Sequence, residues 1–325
     1  MPVTGVPRVL LPINEVDVSV PRAAVDVGSN SVRLLIADAS GARITREMTV
    51  TRLATGVDRT GHLDDRALER TVATIAGYRD IWRSHGVTDR VRITATSAVR
   101  DAADRDRFFA AVLEATGVEA ELLSGEDEAA LAFGGASGAV EVTAPTAVVD
   151  IGGGSTELIV GTREGAVGGS VSLQLGCVRL AERDLGDDPP SSGQLVTAQA
   201  TIEQLLDRAD GALAEQGVSM GDATTLIAVA GTATTLGALD LQLDAYLEEK
   251  IHGHRLPAAA LHRLASDLAT MRSAARARMG PMQPGREGVI HAGAMILSAI
   301  VRRYEVPEVV ISESDSLDGL LDSLA

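Results

Sequence analysis

An α/β fold built twice, as two domains facing each other across a cleft, is what this 325-residue sequence predicts. Three observations carry that prediction. The stretch Ala147-Val148-Val149-Asp150-Ile151-Gly152-Gly153-Gly154-Ser155-Thr156-Glu157-Leu158-Ile159-Val160 reads as strand, glycine turn and strand. Its β-branched run leads to Asp150, and three glycines then let the chain reverse with bare N–H groups. A second copy, Ala24 to Ile36, lays Asp26 on Asp150, Gly28 on Gly152, Ser31 on Ser155 and Leu34 on Leu158. The likeness continues downstream: Leu53 to Gly56 answers Leu173 to Gly176, and Ile93 to Ala98 answers Ala228 to Ala233. Matched segments in one order indicate a duplicated domain, with both turns facing the cleft.

Bare N–H groups suit a phosphate, and Asp150 and Glu157 flank the second turn with the hard oxygen ligands that Mg²⁺ prefers. An ordinary hairpin between core strands is the alternative reading of either copy taken singly. The formal net charge of −16 argues against nucleic acid and anionic membranes as partners. A polyanionic substrate is compatible with that charge only if local N–H groups, a divalent cation and a few placed arginines do the binding. Hydrophobic residues make up 45% of the chain, no apolar run is long enough to span a bilayer, and the start lacks a signal peptide pattern. A cytoplasmic globular protein is the expectation. Residues 1–21, with Pro2, Pro7, Pro12 and Pro21, read as a loose arm. The lone Cys177, in an apolar run, reads as a small core residue rather than a nucleophile.

In chain order, Met48 to Leu53 reads as a third strand, followed by a helix capped at Asp64 or Asp65 and carrying Leu68, Val72, Ile75 and Trp82. Val91 to Ala95 is the next strand. Thr96 to Asp101 leads into a helix through Phe108, Val112 and Leu113, and Val118 to Leu123 supplies another strand. Leu123 to Phe133 is strand end, turn and helix start. Ser124 and Asp127 fit a capping box, and Glu126, Asp127 and Glu128 answer the helix dipole. Position supplies a second reading, because a helix linking two repeats starts at the floor of the cleft. Domain I is expected over 22–136 and domain II over 137–311, with a helix within 312–325 packing back on domain I.

In the second repeat, Val171 to Leu175 and Thr225 to Ala230 read as strands, with a helix through Leu195, Ile202, Leu205 and Leu206 between them. Gly231 and Thr232 open a segment of small residues suited to close backbone approach or to tight packing. His252-Gly253-His254 reads as a surface turn rather than a metal pair. Pro284 to Leu297 reads as a buried helix with Arg286 at its mouth, either a phosphate ligand or a surface arginine.

Taken together, Ala24 to Leu35, Ala95 to Ala102, Ser124 to Ala129, Val149 to Leu158 and Ala230 to Leu236 resemble the exopolyphosphatase and guanosine pentaphosphate phosphohydrolase (Ppx/GppA) family. The resemblance implies the actin-like ATPase fold, made of two ribonuclease-H-like halves. It places one phosphate loop on Asp26, Gly28, Ser29, Asn30 and Ser31, and the other on Gly152, Gly153, Gly154 and Ser155. By the same resemblance Glu128 is the catalytic glutamate, Asp150 and Glu157 are metal-side acids, and Arg100, Gly231, Thr232 and Arg286 join the phosphate site. The chain is similar to the short form of the family, without its helical extension, and Gly231 lacks the paired glycine of nucleotide-binding relatives.

The implied activity is Mg²⁺- or Mn²⁺-dependent release of orthophosphate from the end of inorganic polyphosphate, favouring short chains, with no organic cofactor. Guanosine pentaphosphate is the alternative substrate, and a non-catalytic polyphosphate or alarmone sensor is the alternative class. A homodimer is a further expectation.

Overall fold

A computed structural model describes residues 20–141, 143–162 and 166–324. The expected arm lies outside these residues up to position 19. In the first lobe, β1 (Arg22–Val27), β2 (Ser31–Ala37) and β3 (Arg43–Val50) run antiparallel. Helices α1 (Val57–Thr60) and α2 (Asp65–Ser84) follow, then β4 (Val91–Ala95), α3 (Ser97–Asp101), α4 (Asp106–Thr116) and β5 (Ala120–Leu122). The strand order is β3-β2-β1-β4-β5, with β4 parallel to β1 and β5 parallel to β4. A linking helix, α5 (Gly125–Ser137), leads to β6 (Thr146–Ile151), β7 (Thr156–Gly161) and β8 (Val167–Leu173). Next come α6 (Cys177–Asp184), α7 (Ser192–Glu215), β9 (Thr225–Val229), α8 (Ala230–Asp240), α9 (Glu248–Ile251) and β10 (Arg255–Pro257). The chain ends with α10 (Ala258–Thr270), α11 (Ser273–Arg276), α12 (Ile290–Arg303), β11 (Glu308–Ile311) and α13 (Ser316–Asp322).

The second sheet, β10-β11-β9-β6-β7-β8, repeats the first: β8-β7-β6-β9 lies as β3-β2-β1-β4 does, and β11 takes the place of β5. This is the duplicated actin-like ATPase architecture. Each lobe buries its own core, one around Leu34, Ile75 and Trp82, the other around Leu158, Ile202 and Leu297. The halves also exchange a helix. Ala129, Ala132, Phe133 and Ala136 of α5 pack on Val148, Ile159 and Val229 of the second sheet. Leu317, Leu320 and Leu321 of α13 pack on Ala24, Leu35 and Ala37 of the first. The two helices cross where only glycine fits: a Cβ on Gly135 would fall 2.1 Å from the Asp315 carbonyl oxygen, and one on Gly319 2.2 Å from that of Leu131. An expected division at residue 136 groups α5 with the first lobe, whereas its apolar face covers the second sheet.

Two expected elements are displaced for identifiable backbone reasons. The third strand is Arg43–Val50 rather than Met48 to Leu53. It stops because Arg52 takes a left-handed φ of 55° and the N–H groups of Thr51 and Arg52 both donate to Asn30 O. The helix expected from Pro284 begins only at Ile290, because Gly285 has a φ of +89° and residues 284–289 form turns. Arg286 is therefore not at a helix N-terminus. Helix α6 was not expected at all. Leu113, counted as apolar-face, is 43% exposed. His252 and His254 bond to Ala139 O and Asp240 respectively, so they do not converge on one point.

His291, at the start of α12, is buried, and among the described residues neither ring nitrogen has a hydrogen-bond partner. Burial, then the charge of Arg276, pushes its pKa down to about 4, with Asp188 opposing. The unfolded chain, with the ordinary value of about 6.5, takes up this proton first as pH falls. Stability from this residue is thus full above pH 6.5 and is lost toward pH 4, by about 3 kcal/mol. Urea denaturation across this window should show that loss in the wild type and not in His291→Leu.

Candidate active site

Both glycine turns close with the same bond, Gly28 N–H to Ser31 O and Gly152 N–H to Ser155 O, each at 3.0 Å. The two turns then meet tip to tip. A Cβ on Gly153 would lie 3.0 Å from Ser29 Cβ and 3.1 Å from Asn30 N. One on Gly154 would lie 2.6 Å from Ser97 Oγ and 2.7 Å from Ser29 Oγ, which are 2.8 Å from each other. Side chains here would force the lobes apart. The turns wall a cavity of about 270 Å³, into which Asp26, Glu128, Asp150, Gly231, Thr232 and Arg286 also face.

Strand register places the charged groups. Asp150 sits opposite Glu157 across the second hairpin, while Asp26 sits opposite Arg33 across the first. The repeat is therefore asymmetric: acid and acid on one side, acid and arginine on the other. Arg33 pairs with both Asp26 and Asp315, the latter from the segment entering α13. Burial works against the charge of Arg33, but these two carboxylates outweigh it and hold its pKa above the ordinary value. Asp315, buried and paired with Arg33 and Arg46, is held below the usual carboxylate range.

The second lobe's acids have less compensation. Glu128 is pushed well above the usual range by burial and then by Glu157, Asp150 and Asp26, with Arg100 opposing. Asp150 is raised in the same way by burial, Glu157 and Asp315. Burial also raises Glu157, against bonds from Ser155 and from Ser172 Oγ at 2.8 Å. The result is a buried cluster with excess negative charge.

Not every expected site residue reaches the cavity. Arg100 stands behind Glu128, donating to it at 3.4 Å and to Leu123 O at 3.0 Å, so it steadies that carboxylate rather than lining the wall. Glu157, beside Asp150 across the hairpin, is 1% exposed and off the cavity wall, and Gly154 packs between the lobes. Arg286 does face the cavity. It donates to Gly231 O at 3.1 Å and Thr235 Oγ1 at 2.9 Å, and lies 5.9 Å from the Tyr246 ring centre. Among the described residues no carboxylate pairs with it. Cys177 is buried in the second core and also borders the cavity, its thiol pushed up to about 11 by burial.

Residues 35–325 match the Ppx/GppA phosphatase family. The chain belongs to that family. It is 40% identical over 320 residues to Exopolyphosphatase 2 of Mycobacterium tuberculosis, covering 93% of this chain and 98% of that one. It is 30% identical to Exopolyphosphatase 1 of Mycobacterium bovis, covering 91% and 86%. A crystal structure of an exopolyphosphatase-like protein superposes with a TM-score of 0.88 at 34% identity, over 93% of this chain and 97% of that one. The Ppx/GppA family member of Aquifex aeolicus superposes at 0.77 and 28% identity, over 94% and 97%.

This Ppx/GppA site also uses residues that sequence reasoning missed. Arg33 had a signal, since it falls seven residues after Asp26 as Glu157 does after Asp150. Asp315 had only the polar run Ser312 to Ser316 after a strand. Arg179 of α6 had none: it donates to Gly154 O at 2.7 Å and pairs with Asp58 and with Asp101, tying the second loop to the first lobe.

Among the described residues no three His, Cys, Asp or Glu side chains form a metal-holding group. Mg²⁺ nevertheless fits, because it takes one or two carboxylates and completes its shell with water and substrate phosphates. Asp150 on the wall would supply one such carboxylate, and Glu157, its cross-strand neighbour, adds buried negative charge for a cation to offset.

Gly231 has a checkable role. A Cβ there would lie 2.7 Å from Arg286 Cζ. Because the clash is with the end of a flexible side chain, Gly231→Ala should cost little stability but displace the guanidinium. KM should rise about tenfold, as expected for one lost charge-assisted contact, and Arg286→Gln should match it.

Proposed function

We propose that this chain is a divalent-cation-dependent exopolyphosphatase that releases orthophosphate from the ends of inorganic polyphosphate in the cytoplasm. The observation that carries the reading is the tip-to-tip meeting of two N–H-lined turns in one cavity with Glu128. The 40% identity to a protein named Exopolyphosphatase 2 supports it. Among the described residues no helix is long and apolar enough to cross a membrane.

The terminal phosphoryl group sits between Gly28 to Ser31 and Gly152 to Ser155, its oxygens accepting from backbone N–H groups, with Arg286 beside it. Glu128 accepts a proton from a water whose oxygen attacks the terminal phosphorus. The bridging P–O bond breaks, and the shortened chain leaves with that oxygen. Asp150, with Glu157 next to it, would hold a divalent cation, which would supply positive charge to offset that on the transferring group. Arg100 keeps Glu128 aimed, and Arg33 holds Asp26 in place.

Orthophosphate release should be measured from polyphosphate, guanosine pentaphosphate and ATP in parallel, with and without Mg²⁺. Fast release from polyphosphate, abolished by chelation and restored by Mg²⁺ or Mn²⁺, is the expected result. Release only from guanosine pentaphosphate or ATP, or tight binding of polyphosphate with no turnover, overturns it.

A further inference from the structure

A second, open groove of about 800 Å³ runs beside the cleft and shares Met48 and Gln283 with its wall. One side is β3 and the turn after it, with Arg70 reaching in from α2; the other is Gln283, Pro284 and Gly285. The two spaces differ in charge. Seven acidic residues and three arginines face the catalytic cavity, whereas the groove is lined by two arginines, Arg52 and Arg70, and no carboxylate.

The Arg70 guanidinium is held in place without an acidic partner, and that of Arg52 has only a long ion pair. Arg70 donates to Thr51 O through Nε at 3.3 Å and Nη2 at 2.9 Å, which fixes the plane of the guanidinium. Among the described residues no carboxylate lies within ion-pairing distance of it. Arg52 is 53% exposed, and its nearest carboxylate, Glu287, is 3.9 Å away. The Arg52 backbone occupies the left-handed region at φ 55°, a conformation that a side-chain-bearing residue adopts only under constraint. It is sustained by the bonds that Thr51 and Arg52 N–H groups make to Asn30 O, so the turn bearing Arg52 is anchored directly to the first phosphate loop. Other arginines of this acidic chain, including Arg33, Arg46, Arg107, Arg179 and Arg303, are tied to carboxylates.

We propose that this groove is a second anion subsite, in which Arg52 and Arg70 hold phosphates of a condensed chain behind the terminal one being cut. The inference rests on the polyphosphate reading above and deepens it. A chain leaving the cavity past Met48 and Gln283 meets this groove, and its repeating negative charge matches two guanidinium groups spaced along one wall. A single orthophosphate or a very short oligophosphate does not reach it.

The test compares wild type with Arg52→Gln, Arg70→Gln and the double variant, on tripolyphosphate and on long-chain polyphosphate. The double variant should raise KM for the long chain about tenfold with kcat unchanged, as two partly exposed charge contacts are lost. KM and kcat for tripolyphosphate should stay at wild-type values, which also shows that the variants are folded. Added salt should weaken long-chain binding to the wild type more than to the double variant. Arg52→Gln alone decides the matter if removing Arg70 disturbs the turn, because the Arg52 guanidinium makes no hydrogen bond to it. Equal KM changes for both substrates, or none for either, overturn the groove. A larger effect on guanosine pentaphosphate than on long chains assigns it to a nucleotide and overturns it too. Equilibrium binding separates the two layers of inference. Should the wild type hydrolyse no condensed phosphate, the activity reading fails; a preference for long over short chains that the double variant loses still supports the groove, and no such preference overturns it.

Discussion

Glu128→Gln is expected to leave the fold intact and to lower kcat about 10²-fold to 10⁴-fold with KM nearly unchanged. The carboxylate starts the helix α5, and an acid there also answers the helix dipole, so the competing account makes it a cap worth about 0.3 to 1 kcal/mol. The structure separates the two roles. Ser124 already caps α5, accepting from Asp127 N–H at 3.1 Å, while Glu128 is buried, faces the cavity and is held by Arg100. Glu126, in the same first turn, is exposed and serves as the control. Loss of turnover in Glu128→Gln but not Glu126→Gln assigns the proton acceptor. Mild and equal effects on turnover would remove Glu128 from the mechanism.

Arg33→Met is expected to be among the most destabilising single changes in the chain, by about 3 to 5 kcal/mol in urea denaturation. It leaves Asp26 without its arginine and Asp315 with Arg46 alone, so the buried carboxylates repel each other and Asp150 with less compensation. Because Asp315 precedes α13, the loss should also loosen the helix that the second half of the chain lends to the first sheet. Adding Asp315→Asn to Arg33→Met should recover part of the stability. A cost below about 1 kcal/mol, the range of surface pairs, would mean that the cage is not structural.

Much of this was legible in the sequence because it is local. Hairpins declare themselves through β-branched runs and glycines, and a duplication checks each copy against the other. The residues alone placed the start of the linking helix at the cleft, and the family resemblance singled out Glu128 within it. What escaped depends on long-range packing. Arg100 pairs with Glu128, and Arg286 lies on Gly231, only because the tertiary fold brings distant segments together. Arg179 spans the lobes through acids about 80 and 120 positions away, a separation no periodicity encodes. The helix boundary near Arg286 was missed because a left-handed Gly285 overrode the apolar pattern that follows.

The central claim is that water, deprotonated by Glu128, attacks the terminal phosphorus held between the two glycine turns. Hydrolysis of polyphosphate in heavy-oxygen water, followed by mass analysis of both products, tests it most directly. One labelled oxygen should appear in each released orthophosphate and none at the new end of the shortened chain. Unlabelled orthophosphate with label on the remaining chain would place the attack on the wrong phosphorus and contradict the account.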